Sequence, residues 1–575
     1  MTDLFRSLKK SCAMDIKKIC LAGALLGFVP VSAQESQSFQ EFRQKILDDY
    51  QEFRKTILAH YADFLNGTWH EYEPMMPLEK TQTPKPMRVP DVKVSKPVTV
   101  PTNLPKPVLA TLPPSQIPPD AQIEEPQPPS EESPADDKPV SLFDVPKPIV
   151  LPEAKDVVPP GIKVKPDLGG TPLLAALPDI PRPVIADEPE DDAPAVDETE
   201  IKPAEAPEES RVGKEPMKFY GMEIWVPEVD FKIMYSLGKV SDFARHWKLL
   251  DEQDVADVAL SSLRPKMNEL GLNDYLAYEF LCAYMDFKFP EASSAPKMSA
   301  VHYLLTHMGY DARIALATKT GDPLLLIPAD QMIYGKVYLT LGGEKFYVLT
   351  APGVNPMGSP IATCDLPKVA NQGKRFDMRI NGLNFPMKEH KFNVDYGKLH
   401  LSGVVNENLM PVVYRYPQMD TADFAESVLD KKLRENLVTQ VKEQLSGMDK
   451  VDATNELLQF VQSGFSYATD DAFHGFEKPY FLEENLFYPK NDCEDRAIFY
   501  TYLLWNALGV ENQLLCFPGH ESASVALPGD IKGVSYDHEG KRYYISDPTY
   551  IGSRTGQCIP QYVTTAPKID LTLPK

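Results

Sequence analysis

Well over half of the chain's 55 prolines fall between Pro74 and Pro216. At that density neither a helix nor a central strand persists, because each proline fixes φ and removes a backbone donor. Repeated Pro-Lys-Pro, Pro-Pro and Val-Pro steps therefore describe an extended, semi-rigid and disordered tether over 74–216, whose task is reach. Apolar patches inside it, such as Ser141-Leu142-Phe143, read as incidental. Much of the acid behind the formal charge of -23 lies here too, in Glu124-Glu125, Glu131-Glu132, Asp136-Asp137 and the run 188–192. The charge is thus not a property of one folded surface. No dense basic stripe stands out against it, so nucleic acid is not an expected partner.

At 575 residues the chain is too long for one core, and two or three domains are expected. Lys17 and Lys18 precede an apolar run over 19–31, and Val31-Ser32-Ala33 makes a small-residue cleavage site before Gln34. The run is short for a membrane span. Residues 1–33 thus read as a signal peptide, with Met14 as an alternative start, that exports the protein to the periplasm, cell envelope or exterior and leaves no span behind. Cys20 stands at the front of the apolar run, where a lipoprotein cysteine would not be. Five cysteines remain, Cys282, Cys364, Cys493, Cys516 and Cys558, and an odd number leaves at least one thiol unpaired. Cys516 with Cys558 is a candidate disulfide; isolated buried thiols are the alternative.

Residues 34–73 carry an 11-residue repeat. Glu41-Phe42-Arg43 recurs as Glu52-Phe53-Arg54, and Tyr50, Tyr61 and Tyr72 keep the same step. A period of 11 is about 3.67 residues per turn, which holds these aromatics on one face of a single helix. Asn66-Gly67 is a stop or distortion near its end. The helix is expected to pack on the globular part or self-associate, with binding to a partner or to a membrane surface as the other reading.

Globular composition resumes at Met217. Helical patterns over 240–249, 255–270, 274–287 and 300–308 lead into strands over 312–317, 323–327, 335–341 and 345–349. Residues 365–420 alternate as a small β-rich connector, and helices over 421–445 and 455–463 open the last region, 421–575. Two stretches of 217–364 echo that region: 303–309 echoes 502–509, and 343–350 echoes 540–547. A duplication would place the Ser293-Ser294 region, the neighbourhood of Thr320, and Thr350 where the last region has its chemistry, so the first copy would be degenerate.

That chemistry starts at Asn491-Asp492-Cys493-Glu494-Asp495. Asp492 is a good N-cap and Asp495 suits the acidic partner of a capping box, which puts Cys493 in a first helical turn. Helix N-H groups favour thiolate there, while Asp492, Glu494 and Asp495 oppose it. His520 follows a strand and a Pro-Gly step. Asp547 ends a strand at Asp-Pro-Thr, where proline stops the ladder and frees the carboxylate to hold an imidazole.

Together Cys493-Glu494-Asp495-Arg496-Ala497, Pro518-Gly519-His520 and Asp547-Pro548-Thr549-Tyr550 resemble the Cys-His-Asp core of the transglutaminase-like superfamily, especially its bacterial cysteine-peptidase-like members. The resemblance covers roughly 450–566; Ser522 departs from it, standing where many members have an aromatic residue. It implies an α+β, papain-like fold with the cysteine opening a helix on an antiparallel sheet. By the same match Cys493 is the nucleophile, His520 the base and Asp547 its orienting group, acting on amide bonds through a thioester. The substrate class is then a peptide or protein, cell-wall peptides included, with hydrolysis and transamidation both open. No cofactor is called for. A rival zinc set of Cys516 and His520, completed by Cys493 or Cys558, lacks any CxxC pair. The other functional class is a non-catalytic envelope-binding or scaffold protein with a vestigial triad, since an enzyme needs neither tether nor aromatic helix.

Overall fold

Asn273 and Asp449 each end a loop and begin a 15-residue helix, Asp274–Lys288 and Lys450–Gly464. Each side chain accepts a backbone N-H of the first turn: Asn273 from Leu276 at 3.0 Å, and Asp449 from Val451 at 2.9 Å and Asp452 at 3.2 Å. These helices are the counterparts in two lobes with one plan. The computed structural model describes residues 44–45, 58, 60–79, 155–157, 162–165, 169–181, 211–364 and 373–575, all of which belong to one compact unit.

The upstream lobe opens with a hairpin, Lys214–Phe219 and Met222–Pro227. The downstream lobe opens with another, Glu389–Tyr396 and Leu399–Asn406. In each, the first hairpin strand packs on the 15-residue helix just described. The second packs on the helix before it, Val255–Glu269 upstream and Lys431–Gln444 downstream. A third helix follows, Ser294–Met308 or Cys493–Asn506. Both run out shortly before a glycine at positive φ, Gly309 at 99° and Gly509 at 60°; a left-handed residue lets the chain turn off the last carbonyls.

Five antiparallel strands then form the same sheet twice. Upstream the order is Ile361–Cys364, Arg313–Ala317, Pro323–Pro328, Glu344–Thr350, Tyr338–Leu341. Downstream it is Lys568–Leu573, Asn512–Phe517, His520–Val525, Lys541–Ile545, Ser535–His538. Chain order within each sheet is therefore identical, which is an α+β architecture repeated. One buried hydrophobic core runs through both lobes. The hairpin at 389–406 lies within the region read as a connector, and it packs on the helices of the downstream lobe.

Two expectations for the N-terminal part are corrected. The helix over Tyr61–Leu65 stops at Asn66, and Trp69–Tyr72 is a strand paired with Ile361–Cys364. Tyr72 therefore does not share a helix face with Tyr61: once Trp69 is buried against the sheet, edge pairing outweighs the 11-residue period. Tyr61 does pack on the globular part, stacking on Trp247 at 3.9 Å and meeting His302 Nε2 through its hydroxyl at 3.0 Å. Most of 34–57, with the signal peptide, lies outside the described residues. The segment read as a tether is also partly anchored. Lys155–Val157 pairs with Trp69–Tyr72, Lys165 N donates to Gly321 O at 2.7 Å, and Leu173 N donates to the Asp286 carboxylate at 2.8 Å. Proline tolerates this because edge strands and straps need only some of their donors.

Candidate functional site

Cys493 is the first residue of its helix, with Asp492 as an extended N-cap. Asp492 N donates to Asp495 Oδ2 at 3.1 Å, the return half of the expected capping box. His520 begins its strand, directly after the Pro518-Gly519 turn, and pairs with Phe517. Asp547 follows the strand Lys541–Ile545 by two residues. All three are buried, at 1%, 5% and 1% exposure.

His520 and Asp547 meet: His520 Nε2 lies 2.7 Å from Asp547 Oδ2. The other carboxylate oxygen accepts Thr549 N at 2.8 Å and Tyr550 N at 3.3 Å, a turn that Pro548 helps set. Gln462 Nε2 donates to Asp547 O at 2.9 Å, tying this corner to the Lys450–Gly464 helix. Burial alone would lower the imidazole pKa, but the adjacent Asp547 carboxylate outweighs it and the net shift is upward.

Cys493 is differently placed. Its thiol donates to Glu494 Oε2 at 3.0 Å. Burial raises the thiol pKa well above its ordinary value, and the Glu494 and Asp492 carboxylates push the same way; the backbone N-H of Glu521, facing the sulfur, opposes them. That N-H is the peptide next to His520. Tyr562 flanks the imidazole: its ring stacks on His520 at 5.5 Å with 6° between planes, and its hydroxyl donates to Pro518 O at 3.0 Å. Tyr562 lies in a short 3-10 turn, Pro560–Tyr562, and nothing in the local sequence marks it.

The acidic residues around the cysteine are the strongest electrostatic feature. Asp470, Asp492 and Asp495 bring carboxylate oxygens within 4.8 Å of one another, and Asp492, Cys493 and Glu494 form an overlapping group. Asp492 Oδ1 is buried without a hydrogen-bond partner. Burial and mutual repulsion raise the pKa of all three aspartates, Asp470 to about 10. An oxygen-rich set of this kind suits protons or a hard cation. Arg496 partly balances it; its guanidinium donates to Asn491 Oδ1 at 2.8 Å, Gln462 O at 3.2 Å and Phe465 O at 2.8 Å, and lies over the Tyr467 ring.

The rival zinc set is not assembled. Phe517 pairs with His520 and Cys516 with Glu521, so strand alternation turns the Cys516 side chain to the opposite face from His520. The Cys516 thiol instead groups with Glu521 and Asp570. The Cys516–Cys558 disulfide is likewise absent: both are free thiols, as are Cys282, Cys364 and Cys493. Cys558 sits beside Phe517 and Ile545 on the face away from the Cys516 side chain, which explains why they do not meet. Among the described residues no helix is long and apolar enough to cross a membrane. Comparison with protein-family models, with characterised proteins and with solved structures finds no significant match to this chain.

Proposed function

We propose that the downstream lobe performs thiol-dependent acyl transfer or hydrolysis at amide bonds of a peptide or protein, in an exported protein of the transglutaminase-like kind. In this reading Cys493 is the nucleophile, His520 its base and then acid, and Asp547 the orienting group. The observation that carries it is the buried His520–Asp547 pair together with the backbone N-H of the next residue, Glu521, on the sulfur of the helix-start Cys493. Nε2 is engaged by the carboxylate, so Nδ1 is the ring nitrogen left to take the thiol proton. The nucleophile then attacks a carbonyl carbon, the tetrahedral oxyanion collapses with expulsion of an amine protonated by the imidazolium, and water or an amine resolves the thioester. The repeated plan of the two lobes supports the companion reading, that the upstream lobe is a degenerate copy.

One observation favours a second reading, a binding or scaffold protein with a vestigial triad. The thiol is bonded to Glu494 and held protonated by burial and negative neighbours. Alkylation separates the two. Iodoacetamide near neutral pH is expected to label Cys493 faster than Cys516 or Cys558, and His520→Ala to slow that labelling at least tenfold. Equally slow labelling in wild type and variant would end the catalytic reading.

A further inference from the structure

A cavity of about 610 Å³ opens on the upstream lobe, far along the chain from Cys493. That volume is in the range of small-molecule sites. Its walls come from four places: the hairpin turn at Phe219 and Tyr220, the Asp274–Lys288 helix, the anchored strap at 174–178, and the segment from Pro411 to Tyr416. Leu174, Leu177, Phe219, Ala283, Phe287 and Val412 make most of it apolar. Two carboxylates stand against this lining, Asp286 and Glu279, and Glu279 accepts the hydroxyls of Tyr220 and Tyr275.

The other charged groups of the cavity are accounted for. Asp286 pairs with Lys297 at 2.7 Å and also takes Leu173 N. Arg415 lies over the Phe476 ring, 5.5 Å from its centroid, and Lys218 is on the exposed side of its strand. Glu279 forms no ion pair among the described residues, and the Lys336 ammonium acts on it only through space. Its carboxyl is pushed up to about 7 by burial, against the two tyrosine hydroxyls and Lys336. A carboxylate in an apolar chamber with no cation in direct contact, the buried Lys336 acting only through space, is costly unless a ligand brings the charge to it, and the tyrosine rings add faces that attract a cation.

From this juxtaposition we infer that the cavity binds an aliphatic primary ammonium group, its stem against the apolar walls and its head on Glu279. The ligand is a free alkylamine or a lysine side chain on a peptide, and the site is independent of the Cys493 reading. Isothermal titration of the full chain with hexylamine, 1-hexanol and Nα-acetyl-lysine methylamide tests it. Hexylamine is expected to bind at pH 8 and roughly tenfold more weakly at pH 6, as the carboxylate of pKa about 7 takes its proton. Acetyl-lysine methylamide binding as well as hexylamine assigns the site to peptide lysines, and hexylamine binding alone assigns it to free amines. Glu279→Gln should lose at least tenfold; Ala283→Leu, which fills the chamber and leaves the charge, should block binding while the protein melts as wild type. Binding of 1-hexanol as tight as hexylamine, no hexylamine binding, or unchanged binding by Glu279→Gln in a folded variant would overturn the inference.

Discussion

The two lobes share hairpin, helices and five-strand order, yet their corresponding corners are built from different chemistry. At the fourth position of the third helix, upstream Lys297 pairs with Asp286, while downstream Arg496 holds the carbonyls of Gln462 and Phe465. Asp286 and Gln462 are each the thirteenth residue of a 15-residue helix. At the residue before the N-cap, the Ala292 carbonyl accepts Gly170 N of the strap at 3.1 Å, and the Asn491 carbonyl accepts Ala468 N at 3.1 Å. The strap thus fills upstream what the chain before Cys493 fills downstream. The lesson is that this scaffold needs a cation and a covering segment at the helix start, but not a particular one. The acids, the cysteine and the histidine are additions to that plan rather than requirements of it.

The sharpest way to break the comparison is to remove the two cations. Arg496→Met leaves two backbone carbonyls and the Asn491 amide oxygen without their donor in a buried setting, and should cost about 3–5 kcal/mol of stability in urea unfolding. Lys297→Met removes one contact to the partly solvated Asp286 and should cost about 1–2 kcal/mol. Equal losses would mean that the corners are equivalent after all.

The acidic cluster gives the downstream lobe a pH dependence of its own. Asp470, Asp492 and Asp495 have folded pKa values above their unfolded ones, so the native state holds more protons than the unfolded chain. Stability from these groups is present at low pH and falls as pH rises towards about 10, the folded value for Asp470. The melting temperature should therefore drop by several degrees between pH 7 and pH 9.5, and Asp470→Asn should flatten that slope. A flat profile in wild type would mean that the cluster is neutralised otherwise.

The smallest effect is expected at the strap. Gly169 has φ of 84°, and a Cβ there would sit 2.6 Å from Glu291 O. Gly169→Ala should destabilise the protein by about 1 kcal/mol and Ala468→Gly by less, both read from thermal melts. A neutral Gly169→Ala would show that the strap moves freely over the upstream lobe.

Much of the site was legible in the residues. An N-cap aspartate before Cys493, a Pro-Gly turn before His520 and an Asp-Pro step after a strand are local signals, and the structure has a helix start, a strand start and a strand end at those places. The His520–Asp547 contact followed from them. Tyr562, Gln462 and the Glu521 N-H did not, because each reaches the site across elements far apart in the chain. The same is true of the anchored strap: proline content argues against regular structure, but says nothing about single donors meeting single carbonyls.

What the sequence determined alone is therefore local: where helices begin, where strands stop, which segment cannot form a core, and which three residues offer a thiol, an imidazole and a carboxylate. Capping, turn chemistry and proline geometry act over a few residues, so they are readable without partners. Tertiary structure decided the rest. It made Tyr72 a strand residue, kept Cys516 and Cys558 apart on opposite faces of one sheet, and turned the Cys493 thiol to Glu494. Those outcomes depend on which faces are buried together and how charges share a low-dielectric interior, and neither exists until the chain has folded.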